Sequence, residues 1–260
     1  IYARFVIKAL RDAGLLDFDE PFLRLRHQGT ITHQGTKMSK RAGNVVSPDE
    51  FVDTYGADVF RAYLMFMGPY EEGADWNDSG ITGLARFQER VWRLAQQPVD
   101  GDWSPEGPLL RKLHVTIRDV TRDIEELRFN TAISRIMELT NALSRHEGIN
   151  AQLRDTLIAL VAPIMPHLAE ELWALAGRES SVFASPWPDY DPALCEPEYV
   201  TLGITVNGKR RGEVTVPGDA DEALILAESS ALESVQRHLK GKEIVKRIVV
   251  PGRVVNYVVR

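Results

Sequence analysis

Three apolar stripes at helical spacing constrain this chain most. In each stripe, large apolar side chains recur at every third or fourth position, which is the pattern of a helix that buries one face. The stripes run over Leu110–Leu127, Ile133–Leu143 and Leu153–Trp173. With a further apolar segment at Leu84–Ala95, they predict a bundle of about four amphipathic helices with short connections. Pro163 and Pro166 fall within the third stripe and predict a kink or a break there.

The last part of the chain has the pattern of a small α+β domain. An Asn207-Gly208 pair, a strong hairpin signal, stands between two segments of alternating polarity. A helical segment and two more alternating segments follow, the last two separated by Pro251-Gly252. The predicted elements are strands at Thr201–Val206 and Gly212–Val216, a helix at Ala220–Leu239, and strands at Ile244–Val250 and Val254–Val259.

The remaining segments complete a chain that is predicted to be mostly α with a small α+β domain. Residues 1–46 combine a helix at Tyr2–Asp12 with loop-rich sequence, and Ser47 opens a helix with Pro48 at its first position and Glu50 to close a capping box. The predicted parts are residues 1–46, a connecting helical segment 47–80, the bundle 81–184, a proline-rich linker 185–198 and the α+β domain 199–260.

The composition excludes several classes of protein and of binding site. The sequence has no run of about 18 apolar residues, so no transmembrane helix and no membrane partner are expected. A single cysteine, Cys195, rules out an internal disulfide and a cysteine-built zinc site, and no metal ligands are assigned. These features fit a cytoplasmic protein. We expect Cys195 to be a spectator thiol and Trp173 to be a core residue.

The charge is distributed unevenly. The whole chain carries a formal net charge of −6, whereas residues 199–260 hold 10 Lys and Arg against 7 Asp and Glu. A local basic patch can bind phosphate even on an acidic chain. Six basic residues stand close together in this part with only Glu243 against them: Arg237, Lys240, Lys242, Lys246, Arg247 and Arg253.

Two lysines are separated by two residues in Lys37-Met38-Ser39-Lys40, between Gly35 and Gly43. Glycines let such a loop change shape and let backbone approach a ligand. Two ammonium groups on a mobile loop suit a polyphosphate whose charge grows during reaction, because they stabilise that charge without covalent chemistry. The tetrapeptide alone is a weak signal, since paired loop lysines are usually only solvated.

The surroundings of this tetrapeptide resemble a known family. The stretch 37–46 resembles the second signature (KMSKS type) of class I aminoacyl-tRNA synthetases, and 55–61 resembles the segment that follows it in the branch for bulky aliphatic amino acids. Segments 66–69 and 75–81 are similar to leucyl-tRNA synthetases, and 206–212 and 250–256 resemble the C-terminal domain of the bacterial type in this family. The resemblance continues through 166–173, 186–191, 206–212 and 250–256, so it spans the chain in order.

The resemblance implies an architecture and a missing part. Residues 1–46 would be the end of a Rossmann-like catalytic domain, the bundle would be of the anticodon-binding type, and the C-terminal domain would contact tRNA. The first family signature, most of the catalytic domain, the editing domain and most of the leucine pocket would lie in an N-terminal portion, on the same chain or a separate subunit. Without it, we expect residues 1–46 to be poorly ordered, because sheet edges stay unpaired.

The resemblance also implies a reaction and its residues. Leucine and ATP, with Mg²⁺ accompanying the ATP, would form leucyl-adenylate, and the aminoacyl group would pass to leucine tRNA. Lys40 and then Lys37 would hold the departing pyrophosphate, Met38 and Ser39 would shape the loop, and Gly29, Thr30 and Ile31 would meet adenine. One departure is visible: Arg41 stands where the family usually has serine, and Ala42 where it often has lysine.

For tRNA, the resemblance favours the C-terminal domain, since leucyl enzymes generally do not read the anticodon. The implied phosphate contacts are Lys209, Arg210, Arg211, Lys240, Lys242, Lys246 and Arg247. The histidines at 27 and 33 are either substrate contacts or ordinary loop residues. Arg61 either supports a tRNA phosphate or pairs with Asp58, three residues earlier on the same helix face, and the ion pair is the favoured interpretation.

Two alternatives to a leucyl-tRNA synthetase stay open: an RNA-binding module and a synthetase for another amino acid. The chain is either part of an enzyme or a stand-alone RNA-binding module that no longer activates amino acids. A different aliphatic synthetase, for isoleucine, valine or methionine, is a weaker alternative. Ile1 begins in mid-helix pattern, which suggests a piece of a longer protein.

Overall fold

The structure, a computed structural model, describes residues 1–146, 148–196, 199–218, 220–250 and 252–260. Its contacts divide the chain into two units: Ile1–Pro105 with Thr116–Asp189, and Glu106–Val115 with Tyr190–Arg260. In the described ranges, no helix is both long and apolar enough to cross a membrane.

The described part of the bundle region, residues 81–184, contains five α-helices where about four were predicted. The third apolar stripe forms two helices, because Pro163 cannot continue the first and Pro166 opens the second. The predicted break is therefore confirmed. The helices are α1 Tyr2–Asp12, α2 Pro48–Tyr55, α3 Ala57–Phe66, α4 Ile81–Ala95, α5 Gly107–Glu125, α6 Phe129–Leu143, α7 Ala151–Val161, α8 Pro166–Leu175 and the short α9 Pro192–Cys195.

A small sheet lies among the first helices. Its strands are β1 Thr30–His33, β2 Thr36–Lys37 and β3 Gly73–Trp76, in the order β2-β1-β3. β1 pairs with β2 antiparallel through a tight turn at Gln34-Gly35, and with β3 in parallel. The connection from β2 to β3 carries α2 and α3, so the sheet places the Lys37–Lys40 segment directly after its edge strand.

Asp58 does not form the predicted ion pair with Arg61. Its carboxylate instead accepts hydrogen bonds from the Leu168 N–H (2.7 Å) and lies 2.8 Å from His167 Nδ1. The first N–H groups of α8 have no partner within their helix, and a buried carboxylate at a helix N-terminus satisfies them and the helix dipole. Arg61 donates to the Pro163 carbonyl oxygen.

The helix α2 is capped differently from the predicted capping box. The Ser47 hydroxyl accepts from the Asp49 N–H at 3.4 Å and also bonds the Asp49 carboxylate. Trp173 is confirmed as a core residue, with 7% of its surface exposed, and Cys195 is buried.

Two aspartates join α5 to α6. The side chains of Asp119 and Asp123 are 7% and 1% exposed. Arg135 bridges them, with Nη1 2.7 Å from Asp119 and Nε 2.7 Å from Asp123. Arg128 adds a 2.8 Å contact to Asp123. The buried charges are therefore paired and hydrogen-bonded, as burial of a charge requires.

The predicted linker 185–198 is not wholly extended. It contains α9, which Asp191 caps by accepting from the Ala193 N–H at 2.9 Å. Trp187 also anchors the segment, since its Nε1 donates to Thr121 Oγ1 at 2.8 Å. The linker residues Pro197 and Glu198, and Pro251 of the predicted turn, lie outside the described residues.

The C-terminal unit is built on a four-stranded sheet in the order β5-β4-β7-β6. The predicted single helix is two helices, because the backbone becomes extended at Leu232 (ψ 128°). The predicted β6 and β7 are confirmed, and the first two strands are longer than predicted. The elements are β4 Tyr199–Val206, β5 Lys209–Pro217, α10 Glu222–Ala231, α11 Glu233–Leu239, β6 Ile244–Val250 and β7 Val254–Val259.

The core of this unit lies between the sheet and the two helices. Tyr257 is fully buried, and its hydroxyl lies 2.6 Å from Ser229 Oγ on α10. The predicted Asn207-Gly208 hairpin is confirmed, with φ of 48° and 76°. The Asn207 side chain is tied to β7, because it donates to the Val259 carbonyl (3.0 Å) and accepts from the Val259 N–H (2.9 Å).

Candidate functional site

The turn before the two lysines is held by Asp75 on β3. Its Oδ1 accepts from Thr32 Oγ1 (2.6 Å) and from the Gly35 N–H (2.9 Å). The Thr32 hydrogen bond, followed by that from Gly35, holds the pKa of Asp75 below its usual value. The carboxylate therefore stays ionised and fixes the β1–β2 turn.

Asn44 closes the lysine segment from the other side. Its Oδ1 accepts from the Ser39 N–H at 2.9 Å, and its Nδ2 donates to the Lys37 carbonyl at 3.3 Å. Its own carbonyl oxygen lies 3.1 Å from His33 Nδ1, which must be the donor because a carbonyl only accepts. These contacts close residues 37–44 into a small loop, and they give His33 a structural role in it.

Both lysines project from this loop. Lys37 ends β2, and Lys40 begins a single 3₁₀ turn, Lys40–Ala42, that Ser39 caps by accepting from the Ala42 N–H at 3.1 Å. Gly43 ends the turn with a φ of 67°, a conformation that favours glycine. Lys37 and Lys40 are exposed, and among the described residues neither ammonium has a hydrogen bond or ion pair. Two cations are thus presented to solvent, and Met38 is half-buried between them.

Thr30 and Ile31 begin β1, and Gly29 directly precedes it. The Gly29 N–H donates to the Tyr70 carbonyl at 2.7 Å, and a Cβ on Gly29 would lie 1.9 Å from the Gly73 backbone nitrogen. Close packing against Gly73 therefore explains the glycine without any ligand. Ile31 lines a cavity of about 230 Å³ shared with α3 and α6.

The predicted basic contacts of the C-terminal unit separate into groups. Lys209, Arg210 and Arg211 begin β5, whereas Lys246 and Arg247 lie on β6, at the opposite edge of the sheet. Arg210 is partly neutralised by Glu213 at 2.5 Å. Lys240 and Lys242 flank the Gly241 turn after α11.

Three cations act electrostatically on His238, a histidine whose importance was not apparent from the sequence. Burial first, and then the charges of Arg211, Lys242 and Arg237, lower the pKa of His238. The structure therefore brings Arg211 and Lys242 of the predicted set together with Arg237. The signal in the sequence was the Arg237-His238 pair beside the basic run, but the influence of Arg211 on this histidine depends on the packing of β5 against α11.

Within the described ranges, no group of three or more His, Cys, Asp or Glu side chains forms a candidate metal site.

Comparison with known proteins extends these observations. A family profile described as "tRNA synthetases class I (I, L, M and V)" matches residues 8–77, and one described as "Anticodon-binding domain of tRNA ligase" matches residues 108–226. The leucine–tRNA ligase of Dehalococcoides mccartyi strain BAV1 is 44% identical over all of this chain and 33% of its own length. The chain corresponds to the C-terminal third of leucyl-tRNA ligases.

Other leucyl-tRNA ligases also match the whole of this chain. That of Clostridium beijerinckii is 44% identical, with 100% of this chain and 34% of the relative covered. The solved LeuRS of Agrobacterium radiobacter K84, in a ternary complex with tRNA and LeuAMS, matches with a TM-score of 0.82 at 36% identity, over 100% of this chain and 36% of that one. The predicted family and fold class are confirmed, and the chain spans about a third of the length of these leucyl-tRNA ligases.

Proposed function

We propose that this chain is the C-terminal part of a cytoplasmic leucine–tRNA ligase, which activates leucine with ATP and transfers it to leucine tRNA. The observation that carries the proposal is the 44% identity to such ligases over the whole chain. The two unpartnered lysines on a closed, glycine-bounded loop support it. The proposed partners are leucine, leucine tRNA and the remaining N-terminal portion of the enzyme.

The proposed role of the lysine loop is electrostatic. When the carboxylate of leucine attacks the α-phosphate of ATP, negative charge accumulates on the departing pyrophosphate. Lys40, with Lys37 second, holds the β- and γ-phosphates, and Met38 and Ser39 keep the loop in shape. Loss of one such charge costs about 2–4 kcal/mol of transition-state stabilisation, by analogy with removal of an oxyanion donor.

The proposed adenine contacts are backbone groups of Gly29, Thr30 and Ile31. The Gly29 N–H already bonds Tyr70, so any contact there is made by other groups of the segment. Mg²⁺ accompanies ATP in this proposal. The described residues offer no acidic cluster of their own for it, so no step is assigned to a metal site in this chain.

The proposed tRNA contacts are the basic residues of the C-terminal unit. Contacts of cations with backbone phosphates position a nucleic acid without reading its sequence. The set is Lys209, Arg210, Arg211, Lys240, Lys242, Lys246 and Arg247, all on β5, β6 or the turn after α11.

Leucine-dependent exchange of pyrophosphate into ATP tests the enzymatic role. The chain is assayed alone and with the N-terminal part of a leucyl-tRNA synthetase, with Lys40→Ala as the variant. Exchange only in the mixture, reduced about 30- to 1000-fold by Lys40→Ala, is the expected result. Exchange in the mixture that Lys40→Ala leaves unchanged would contradict the role of the loop.

A stand-alone RNA-binding module is the second candidate, favoured by the cations gathered around His238. Its distinguishing outcome is salt-sensitive binding of a leucine tRNA transcript by this chain together with no exchange in any mixture.

A further inference from the structure

The cations that act on His238 come from three parts of the fold: the start of β5, the end of α11 and the turn after α11. Arg237 and His238 occupy the last turn of α11, and Lys242 follows, with its N–H bonded to the Leu239 carbonyl at 3.1 Å. The start of β5 packs closely against α11, since a Cβ on Gly212 would lie 2.9 Å from Ser234 Oγ. Arg211, next to Gly212, is half-buried, and its Nε is shielded from solvent without a hydrogen-bond partner.

The negative charges near this group are already engaged. On α11, Glu233 is bound to Arg237 at 2.5 Å, and on β5, Glu213 is bound to Arg210. α10 and β4 also contact α11. Among the described residues, no charged group on α10 or β4 is a cause of the lowered pKa of His238. Arg211 and Lys242, with Arg237 paired to Glu233, are therefore the cations that act on the imidazole.

We propose that Arg211, Arg237, His238 and Lys242 form a binding site for an RNA backbone phosphate, in which His238 takes up a proton as the phosphate binds. This inference rests on the proposed tRNA binding. It adds Arg237 and His238 to the proposed phosphate contacts and couples binding to the uptake of a proton. The bound phosphate carries the negative charge that the cluster lacks. The imidazole, protonated from solvent, then donates a charge-assisted hydrogen bond to a phosphate oxygen.

The sign of the linkage follows from the charges. In the free chain, burial and three cations disfavour the imidazolium, whereas a phosphate within hydrogen-bond distance favours it. The pKa of His238 is therefore higher in the complex than in the free chain. Affinity is greatest below the free pKa and falls as pH rises through the pKa of the complex, by about tenfold for each unit between the two.

The test is the affinity of the whole chain for a leucine tRNA transcript between pH 5.5 and 8.5 at constant ionic strength. We expect the dissociation constant of the unchanged chain to rise about tenfold across this range. His238→Gln keeps a polar side chain but does not titrate, so its affinity is expected to be nearly independent of pH and equal to that of the unchanged chain at pH 8.5. His27→Gln, on an exposed loop histidine, is the matched control and keeps the full pH dependence.

A second readout separates the site from a folding defect. The chemical shift of the His238 ring titrates at higher pH with tRNA than without it. Salt-dependent binding with the same pH dependence in His238→Gln overturns the proton-coupled site but leaves the proposed tRNA binding intact. Absence of salt-dependent binding at every pH contradicts both, because the site presupposes that the chain binds tRNA.

Discussion

At the scale of single residues, Asn44 determines the shape of the lysine loop. It contacts the backbone at both Lys37 and Ser39, yet it bears no charge that would interact with phosphate. Asn44→Ala removes two hydrogen bonds, each worth about 1 kcal/mol, and leaves both lysines in place.

We expect Asn44→Ala to lower leucine-dependent exchange about tenfold in the complemented mixture, because the lysines lose their fixed separation. Asn141→Ala, at an exposed position of α6, is the matched control and is expected to have no effect. A lower maximal rate, together with faster amide exchange over residues 37–44 in the complemented mixture, indicates a positioning role. Unchanged exchange activity would show that the loop keeps its shape without Asn44.

The sequence identified the lysines but not the residues that hold them. Lys37 and Lys40 are apparent from spacing and glycine flanks. Asn44 and Asp75 were not, because their importance lies in hydrogen bonds to specific backbone groups, which spacing does not encode. Asp58 shows the same limit: its distance from Arg61 in sequence predicted an ion pair, but the unpaired N–H groups of α8, more than a hundred residues later, compete successfully for it.

At the scale of elements, α5 and α6 are joined by the Asp119–Arg135–Asp123 cluster. Burial, the largest influence, raises the pKa of Asp123, but its hydrogen bonds, led by that from Arg135, hold the pKa below its usual value. A carboxylate with a depressed folded pKa contributes stability above its unfolded pKa of about 3.9, and that stability is lost as pH falls through the folded pKa.

Arg135→Met is expected to lower the free energy of unfolding by about 1–3 kcal/mol at pH 7, since it leaves two buried carboxylates short of a partner. The loss shrinks as pH falls from about 3.9 toward the depressed pKa of Asp123, because a protonated Asp123 no longer needs the guanidinium. Urea unfolding followed by circular dichroism at the two pH values measures both effects. Arg93→Met, an exposed position on α4, is the control, and an equal loss at both pH values would contradict the role of Asp123.

Elements were predictable where local pattern and tertiary packing agree. α1, β6 and β7 have the predicted bounds because helical or alternating spacing is uninterrupted there. The division of 220–239 at Leu232 was missed, since no proline or glycine marks it. The five-part domain division stays a prediction.

At the scale of the whole molecule, the N-terminal segment packs little of its apolar surface against the rest of this chain. α1 buries none of its residues and is held to the following segment by ion pairs such as Arg4–Glu20 at 2.6 Å. Exposed ion pairs of this kind contribute little stability. Large apolar side chains lie exposed along this segment: Ile1, Tyr2, Phe5, Val6, Leu15, Phe18, Phe22, Leu23 and Leu25.

We therefore expect amides of residues 1–46 to exchange rapidly in the isolated chain, while those of α6 are protected. Addition of the N-terminal part of a leucyl-tRNA synthetase is expected to slow exchange over α1, because the apolar side chains gain a partner. Hydrogen exchange followed by mass spectrometry measures this. Slow exchange throughout 1–46 without that addition would show that this segment is stable by itself.

The hairpin at Asn207 has a chemical consequence. An asparagine before glycine is the sequence most prone to deamidation, in which the glycine nitrogen attacks the side-chain amide to give a cyclic imide. Here Val259 engages both ends of the Asn207 amide, and the Gly208 nitrogen donates to Asn256 Oδ1 at 3.3 Å, so the attacking and attacked atoms are both restrained. Isoaspartate at this position would therefore accumulate in molecules whose C-terminal sheet has opened, and would serve as a chemical record of that opening.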